Sequence, residues 1–426
     1  MKGRKPFRLS LMFRLAMKHI FTLSILFTTV ICYGQGRTLN EYIELAKQNS
    51  ASIRSLQNQI LSNQIDSQIL KSTTRTQVNF VSNEMYAPVI KGWGYDEIIT
   101  NIAQVSAMIQ ATKTFLSKEN LGAQYRRIAL QNQSLRDTIF LSTRDLVKTI
   151  TEQYITAYGD QLTMDNSQEL YTLLKKESDV LKKLAQSNVI KQTDFLAFDI
   201  TVKTQELTYL QAQIQYNADY LTLNYLAGIV DTTITRVDEP RLEDSLVHDF
   251  YSTAFYQRYV TDSLRIENER KLINYDYRPK VSAFTDGGFN TSLQNTPYKN
   301  IGFSFGVNIK KLIYDGHQKR LKYQKLDIEE STRLTNRAFF VNQYRQQVSQ
   351  LLIQLHATDK LFEQINQQLN YTKTLIIAYD KLLETSDVKV TDLVIAITGY
   401  LNAQNAYRQN FIGRLKIVNQ LNYWNR

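Results

Sequence analysis

The chain repeats itself. Adding 198 to the residue numbers of the stretch 115–228 returns the same plan from about 313 to the C-terminus. Lys183-Leu184 recurs as Lys381-Leu382, Lys191 as Lys389, and Thr193-Asp194 as Thr391-Asp392. Tyr209, Gln211 and Ile214 return as Tyr407, Gln409 and Ile412, and Leu223-Asn224-Tyr225 as Leu421-Asn422-Tyr423. A register held over so long a stretch reads as an internal duplication. The period is too long for one unit of a solenoid, so each copy is half of a single elongated body. Length alone would allow a 426-residue chain two or three ordinary domains.

Each copy has the same internal order. The stretch 115–228 has no proline and few glycines, and polar residues interrupt its apolar spacing at 186–194. Leu121, Ile128 and Leu135 are seven apart, and Leu174, Leu181 and Leu184 keep a similar seam. Such spacing predicts helices packed side by side as coiled coils. Roughly 70 residues before the break make about 100 Å of helix. Ahead of these helices a helical stretch at about 38–71, with a capping box at Thr38 and Glu41, gives way to short strands. Its counterpart runs from about 246 to 274 and stops before Pro279.

Strands are expected at about 76–87, 101–111, 280–290 and 300–310, and long helices over 115–229 and 315–424. The domain plan is a first repeat at 35–230, a connector at 231–249 containing Pro240, and a second repeat at 250–426. The last strand is the clearest. Ile301, Phe303, Phe305, Val307 and Ile309 point one way, and Asn300, Gly302, Ser304, Gly306 and Asn308 the other. In the first half Ala103, Val105, Ala107, Ile109 and Ala111 form the apolar face, with Ile102 and Met108 breaking the rule. A barrel strand between lipid and water alternates in this way; so does a soluble sheet with one buried face. On the first reading Ile301, Phe303, Phe305, Val307, Ile309, Val105 and Ile109 face lipid.

The N-terminus reads as a secretory signal, 1–34: basic residues, an apolar core at 20–31, then Cys32-Tyr33-Gly34. Met17 is an alternative start, because Met17-Lys18-His19 supplies its own basic region. The apolar core is too short to span a bilayer comfortably, and the bulky Ile31 before Cys32 argues against lipidation. Cys32 is the only cysteine, so the mature chain has no disulfide or thiol chemistry. The formal charge is +11, but six basic residues precede the apolar core; without them 45 basic residues face 40 acidic ones. That balance, without Lys/Arg blocks, gives no nucleic-acid signature.

Catalytic chemistry finds no foothold. His248, His317 and His356 lie in separate segments without ligand spacing, and no P-loop, dinucleotide fingerprint or GxSxG occurs. The reading is a non-enzyme without cofactor or metal. A physical constraint takes its place. Four strands cannot close a barrel, and unpaired backbone groups facing lipid cost several kcal/mol each. If the strands are in a membrane, chains must associate until the sheet closes.

The helix–strand–strand–helix–turn–helix order used twice resembles the TolC family of outer-membrane efflux proteins. The likeness covers essentially the whole mature chain. It rests also on Leu312-Ile313-Tyr314-Asp315-Gly316 between strand and helix, on the turns at 188–196 and 387–394, and on the final run from Asp392-Leu393 through Asn402-Ala403-Gln404 to Leu421. The resemblance implies a mainly α fold with a small β part and a homotrimer. Twelve strands would form one outer-membrane barrel, continued by a periplasmic α-helical tunnel. It further implies a periplasmic adaptor and an inner-membrane pump as partners. The turns would form the tunnel entrance, with Ser187, Asn188, Val189, Ser386, Asp387 and Val388 at the adaptor-docking end and Asp392, Asp194, Lys389 and Thr193 at the gate. Two departures stand out: Ile395 occupies the second acidic position after the turn, and Val388 the basic one, with Lys389 adjacent. Asp194 and Asp392 are equally of the type that caps a helix N-terminus. The competing expectation is a soluble periplasmic coiled-coil scaffold or adaptor.

Overall fold

The computed structural model describes residues 37–88, 90–94, 103–242, 250–293, 296–384 and 390–425. The signal segment 1–34 lies outside them. Eleven elements follow in order: α1 (Leu39–Asn49), α2 (Ala51–Thr73), β1 (Gln77–Tyr86), β2 (Ala103–Phe115), α3 (Lys118–Gln186), α4 (Gln192–Leu226), α5 (Ala254–Asp276), β3 (Lys280–Thr291), β4 (Ile301–Lys310), α6 (Gln318–Glu384) and α7 (Val390–Asn425). The fold is mainly helical with a small antiparallel sheet, the class expected.

Element boundaries carry the duplication. α4 and α7 start 198 residues apart, at Gln192 and Val390, and α3 and α6 end 198 apart, at Gln186 and Glu384. Before the hairpin loops the offset is 203: α2 and α5 start at Ala51 and Ala254, and β1 and β3 at Gln77 and Lys280. From the start of one strand to the start of the next, the β1–β2 hairpin is therefore five residues longer than β3–β4.

Three boundaries differ from the sequence reading. The helix expected at 38–71 is two, because Ser50 leaves the helical region (φ −65, ψ 106). The capping box itself forms: Thr38 N–H donates to Glu41 Oε2 at 2.8 Å and Glu41 N–H to Thr38 Oγ1 at 3.4 Å. β2 continues to Phe115, past 111, through the β-branched Thr112 and Thr114. α5 begins at Ala254 after Thr253, later than 246.

The chain divides into two compact units. One comprises 51–144, 246–349 and 424–426, and holds the sheet. Its strands lie in the order β1-β2-β3-β4, every neighbouring pair antiparallel. Among the described residues β1 and β4 each pair on one side only, so the sheet is open. Two glycines let its strands approach. A Cβ on Gly288 (φ +157) would sit 2.3 Å from Ala107 O, and one on Gly306 2.8 Å from the Phe284 ring.

The other unit comprises 1–50, 145–245 and 350–423. Its larger core joins Tyr42 of α1, Ile150 and Tyr154 of α3, and Tyr216, Tyr220 and Leu223 of α4. The tyrosines end on polar partners, as buried hydroxyls must. Tyr42 Oη donates to Asn224 Oδ1 at 2.8 Å and Tyr154 Oη to Asp238 O at 2.9 Å, while Tyr220 Oη and Thr235 Oγ1 are 2.7 Å apart. Gln161 pairs with the backbone of Val237 in both directions, at 2.8 and 3.1 Å. The described part of the connector, 231–242, is thereby fastened to α3 and α4 although it forms no regular element.

Candidate functional site

The strand register collects the apolar residues on one face. Phe80 is opposite Ile109, Ile109 opposite Gly287, and Gly287 opposite Phe303. Because side chains alternate along each strand, Val105 and Ile109 share that face with Ile301, Phe303, Phe305, Val307 and Ile309. All five β4 residues are exposed, by 66% to 82%, and Val78, Phe80 and Ile109 by 62% to 71%. The opposite face carries Asn79, Gln110, Asp286, Ser304 and Asn308, with Ser304 Oγ donating to Asp286 Oδ1 at 2.7 Å. Met108, an exception to the alternation, falls on this polar face opposite Gly288; Ile102 lies outside the described residues. Four strands thus present an uncovered apolar wall on one side and hydrogen-bonding groups on the other. Among the described residues no helix is long and apolar enough to cross a membrane.

The turn between α3 and α4 is built by backbone geometry. Asn188 takes the left-handed conformation (φ 57) that Asn tolerates at a helix end. Val189 N–H then donates to Leu184 O at 2.9 Å and Asn188 N–H to Ala185 O at 3.1 Å, the paired bonds of a Schellman motif. Ser187 Oγ donates to Lys183 O at 2.7 Å. Val189 remains 63% exposed.

Lys191, not Asp194, is the N-cap of α4, and its side chain makes no capping bond. Thr193 and Asp194 lie exposed in the first turn, where a carboxylate meets the positive end of the helix. Asp392 holds the corresponding place in the first turn of α7 and is half-buried. Apolar packing brings these two helix starts to one end: Ile190, Phe195 and Phe198 share a cluster with Val394 and Ile397. Neither aspartate forms a side-chain hydrogen bond or ion pair among the described residues. Ser386, Asp387, Val388 and Lys389 lie outside the described residues.

Sequence reasoning missed two groups. Asp160 and Asp219 face each other between α3 and α4. A string of unpaired lysines also borders the sheet. Neither follows an apolar period, so the pattern that located the helices was silent on both.

This architecture is that of the TolC-type outer-membrane channels: a duplicated helix–strand–strand–helix hairpin with a small antiparallel sheet. Several solved structures share it. The outer-membrane channel OprN is 13% identical with a TM-score of 0.72, over 91% of this chain and 89% of that one. CusC, whose structures were described in connection with transmembrane channel formation, is 10% identical with a TM-score of 0.73 over 93% and 95%. The outer-membrane protein VceC of Vibrio cholerae is 11% identical with a TM-score of 0.71 over 91% and 96%. No family model matches the chain, and no curated protein matches its sequence.

Proposed function

We propose that the chain is the outer-membrane duct of an export machine, a non-enzymatic channel completed by three copies of itself. The observation that carries this reading is the open sheet, with a continuous exposed apolar face and two unpaired edges. In lipid the β1 and β4 edges would each leave a row of unsatisfied backbone groups, so closure by further copies is obligatory. Ten residues of β4 span roughly 33 Å, or about 24 Å in height at a barrel strand's tilt, which matches the apolar band of such barrels. Three chains supply twelve strands, and the polar sheet face lines the bore.

The helices point the same way. Ile200, Leu207, Ile214 and Leu221 of α4 are seven residues apart and 68%, 61%, 68% and 38% exposed. A heptad stripe uncovered in one chain is a seam awaiting another helix, and a neighbouring copy provides it. The turn ends at Ser187–Val189 and 386–388 would meet a periplasmic adaptor, with an inner-membrane pump supplying energy. Asp392, Asp194, Thr193 and Lys389 would surround the entrance, where three copies of Asp392 attract cations. The solved channels named above support this role through their shared fold.

Fractionation and reconstitution test the reading. The full chain should sediment with outer membrane, run as a trimer in detergent and conduct ions in planar bilayers. Release as a freely soluble monomer would instead support a periplasmic scaffold.

A further inference from the structure

The margin of the sheet that leads from β4 into α6 is rich in basic residues. Of the thirteen residues from Lys310 to Lys322, five are Lys or Arg and only Asp315 is acidic. Lys310, Lys311, Lys319 and Lys322 form no ion pair among the described residues. Asp315 is already engaged: its carboxylate accepts Lys319 N–H at 2.7 Å and bonds the Tyr277 hydroxyl. The cations are arrayed over rings instead. Lys319 Nζ and Lys322 Nζ stand 5.2 and 5.8 Å from the Tyr277 centroid, Arg278 4.7 Å from Tyr275, and Lys113 6.0 Å from Phe115.

The register aims part of this charge outward. Lys113 is opposite Ala283, on the same sheet face as Ile109 and Phe115. Directly after β4, Leu312, Ile313 and Tyr314 are 52%, 95% and 73% exposed. Exposed apolar groups interleaved with uncompensated lysines and tyrosines are the composition of a lipid–water boundary, where rings sit at headgroup depth and lysines reach upward. A neutral headgroup surface would not call for so many unpaired cations.

We propose that this margin binds the headgroups of anionic phospholipids, with Lys311, Lys319 and Lys322 as the main contacts. The proposal rests on the membrane reading above, adding which leaflet chemistry the protein selects. Each lysine near an anionic surface contributes about fivefold in affinity, so replacing three should cost on the order of 100-fold.

The test uses detergent-purified full-length protein and two vesicle compositions: phosphatidylcholine alone, and phosphatidylcholine with phosphatidylglycerol. Flotation reports membrane association, and native mass spectrometry of the solubilised protein reports retention of phosphatidylglycerol against phosphatidylcholine. Wild-type protein should float with both vesicles and prefer phosphatidylglycerol. That preference should shrink at 1 M NaCl, where charges are screened beyond about 3 Å. Lys311→Gln/Lys319→Gln/Lys322→Gln should lose it, while Lys182→Gln/Lys183→Gln should keep it. Flotation with both vesicles but no lipid preference, a salt-insensitive preference, or a preference intact in the triple variant would overturn the headgroup assignment and leave the membrane reading standing. Flotation with neither would overturn both. The salt arm needs no variant, so misfolding of the triple substitution does not rescue the idea.

Discussion

Asp160 on α3 and Asp219 on α4 are neighbours, close enough that each carboxyl displaces the other's titration in the opposite direction. Asp219 is well supplied with donors, accepting from Gln153 Nε2 at 2.9 Å and Gln215 Nε2 at 2.5 Å. Asp160 Oδ2 is buried without a donor. Burial first, and then the neighbouring Asp219, push Asp160 up to about 7, with Lys416 opposing. For Asp219 burial alone would raise the pKa, but the hydrogen bonds from Asp160, Gln153 and Gln215 outweigh it and the net shift is downward. In the second repeat the equivalent positions are Thr358 and Ile417, so the pair belongs to one half only.

That pair makes stability fall as pH rises. The folded chain holds Asp160's proton up to about pH 7, whereas an unfolded one releases it near 3.8. Its contribution is therefore complete below the lower value, declines between the two and is gone above pH 7. Asp219 acts in the opposite sense, but only below its ordinary value, outside this window. Asp160→Asn should remove the decline and exceed wild type at pH 8 by on the order of 1 kcal/mol, a figure reduced for solvent screening. Thermal unfolding at pH 5.5 and pH 8 measures it; parallel pH dependence in the two proteins would refute it.

Charge on the α4 stripe should dissociate the copies. Leu207→Asp with Ile214→Asp places two carboxylates where an apolar seam is proposed, at a cost of several kcal/mol per assembled interface. Cross-linking or light scattering should show monomer with helical content unchanged. A trimer that survives the double substitution would mean that this stripe faces something else.

Gly288 and Gly302 offer a matched pair. At Gly288 an added Cβ meets the backbone of Ala107 and Met108, whereas at Gly302 nothing lies within 4 Å. Gly288→Ala should cost about 1–3 kcal/mol and Gly302→Ala well under that, read as the shift in unfolding midpoint of the β-sheet circular-dichroism signal. Equal midpoints would contradict the close approach of β2 and β3.

Asp392→Ala tests the entrance. Its removal should raise single-channel conductance or weaken cation block in planar bilayers, since three carboxylates would leave the axis. Unchanged conductance and block would count against a gating role.

Much of this was legible in the residues. The duplication, the element order and the alternation of Ile301–Ile309 all follow from spacing, which a sequence displays directly. Asn188 could be read as a helix end from its type and its polar neighbours. The break at Ser50 is signalled only weakly, by Asn49, Ser50 and Ser52, which favour caps and turns, with neither Pro nor Gly to mark it. The N-cap was misleading for a related reason: Asp194 has the favoured chemistry, yet the cap is Lys191, where the Schellman turn releases the chain. Asp160 and Asp219 meet only because two helices run past each other, and no local pattern records that.

The longer β1–β2 connection, sixteen residues against nine between β3 and β4, bears on the outward rim of a closed assembly. Twelve strands of nearly equivalent pitch would give the wall almost sixfold regularity, but six crossovers of two alternating lengths reduce its crown to threefold. A probe such as an antibody fragment directed at the longer crossover should thus saturate at three per complex, and its bulk would flank the pore mouth without covering the shorter crossovers between.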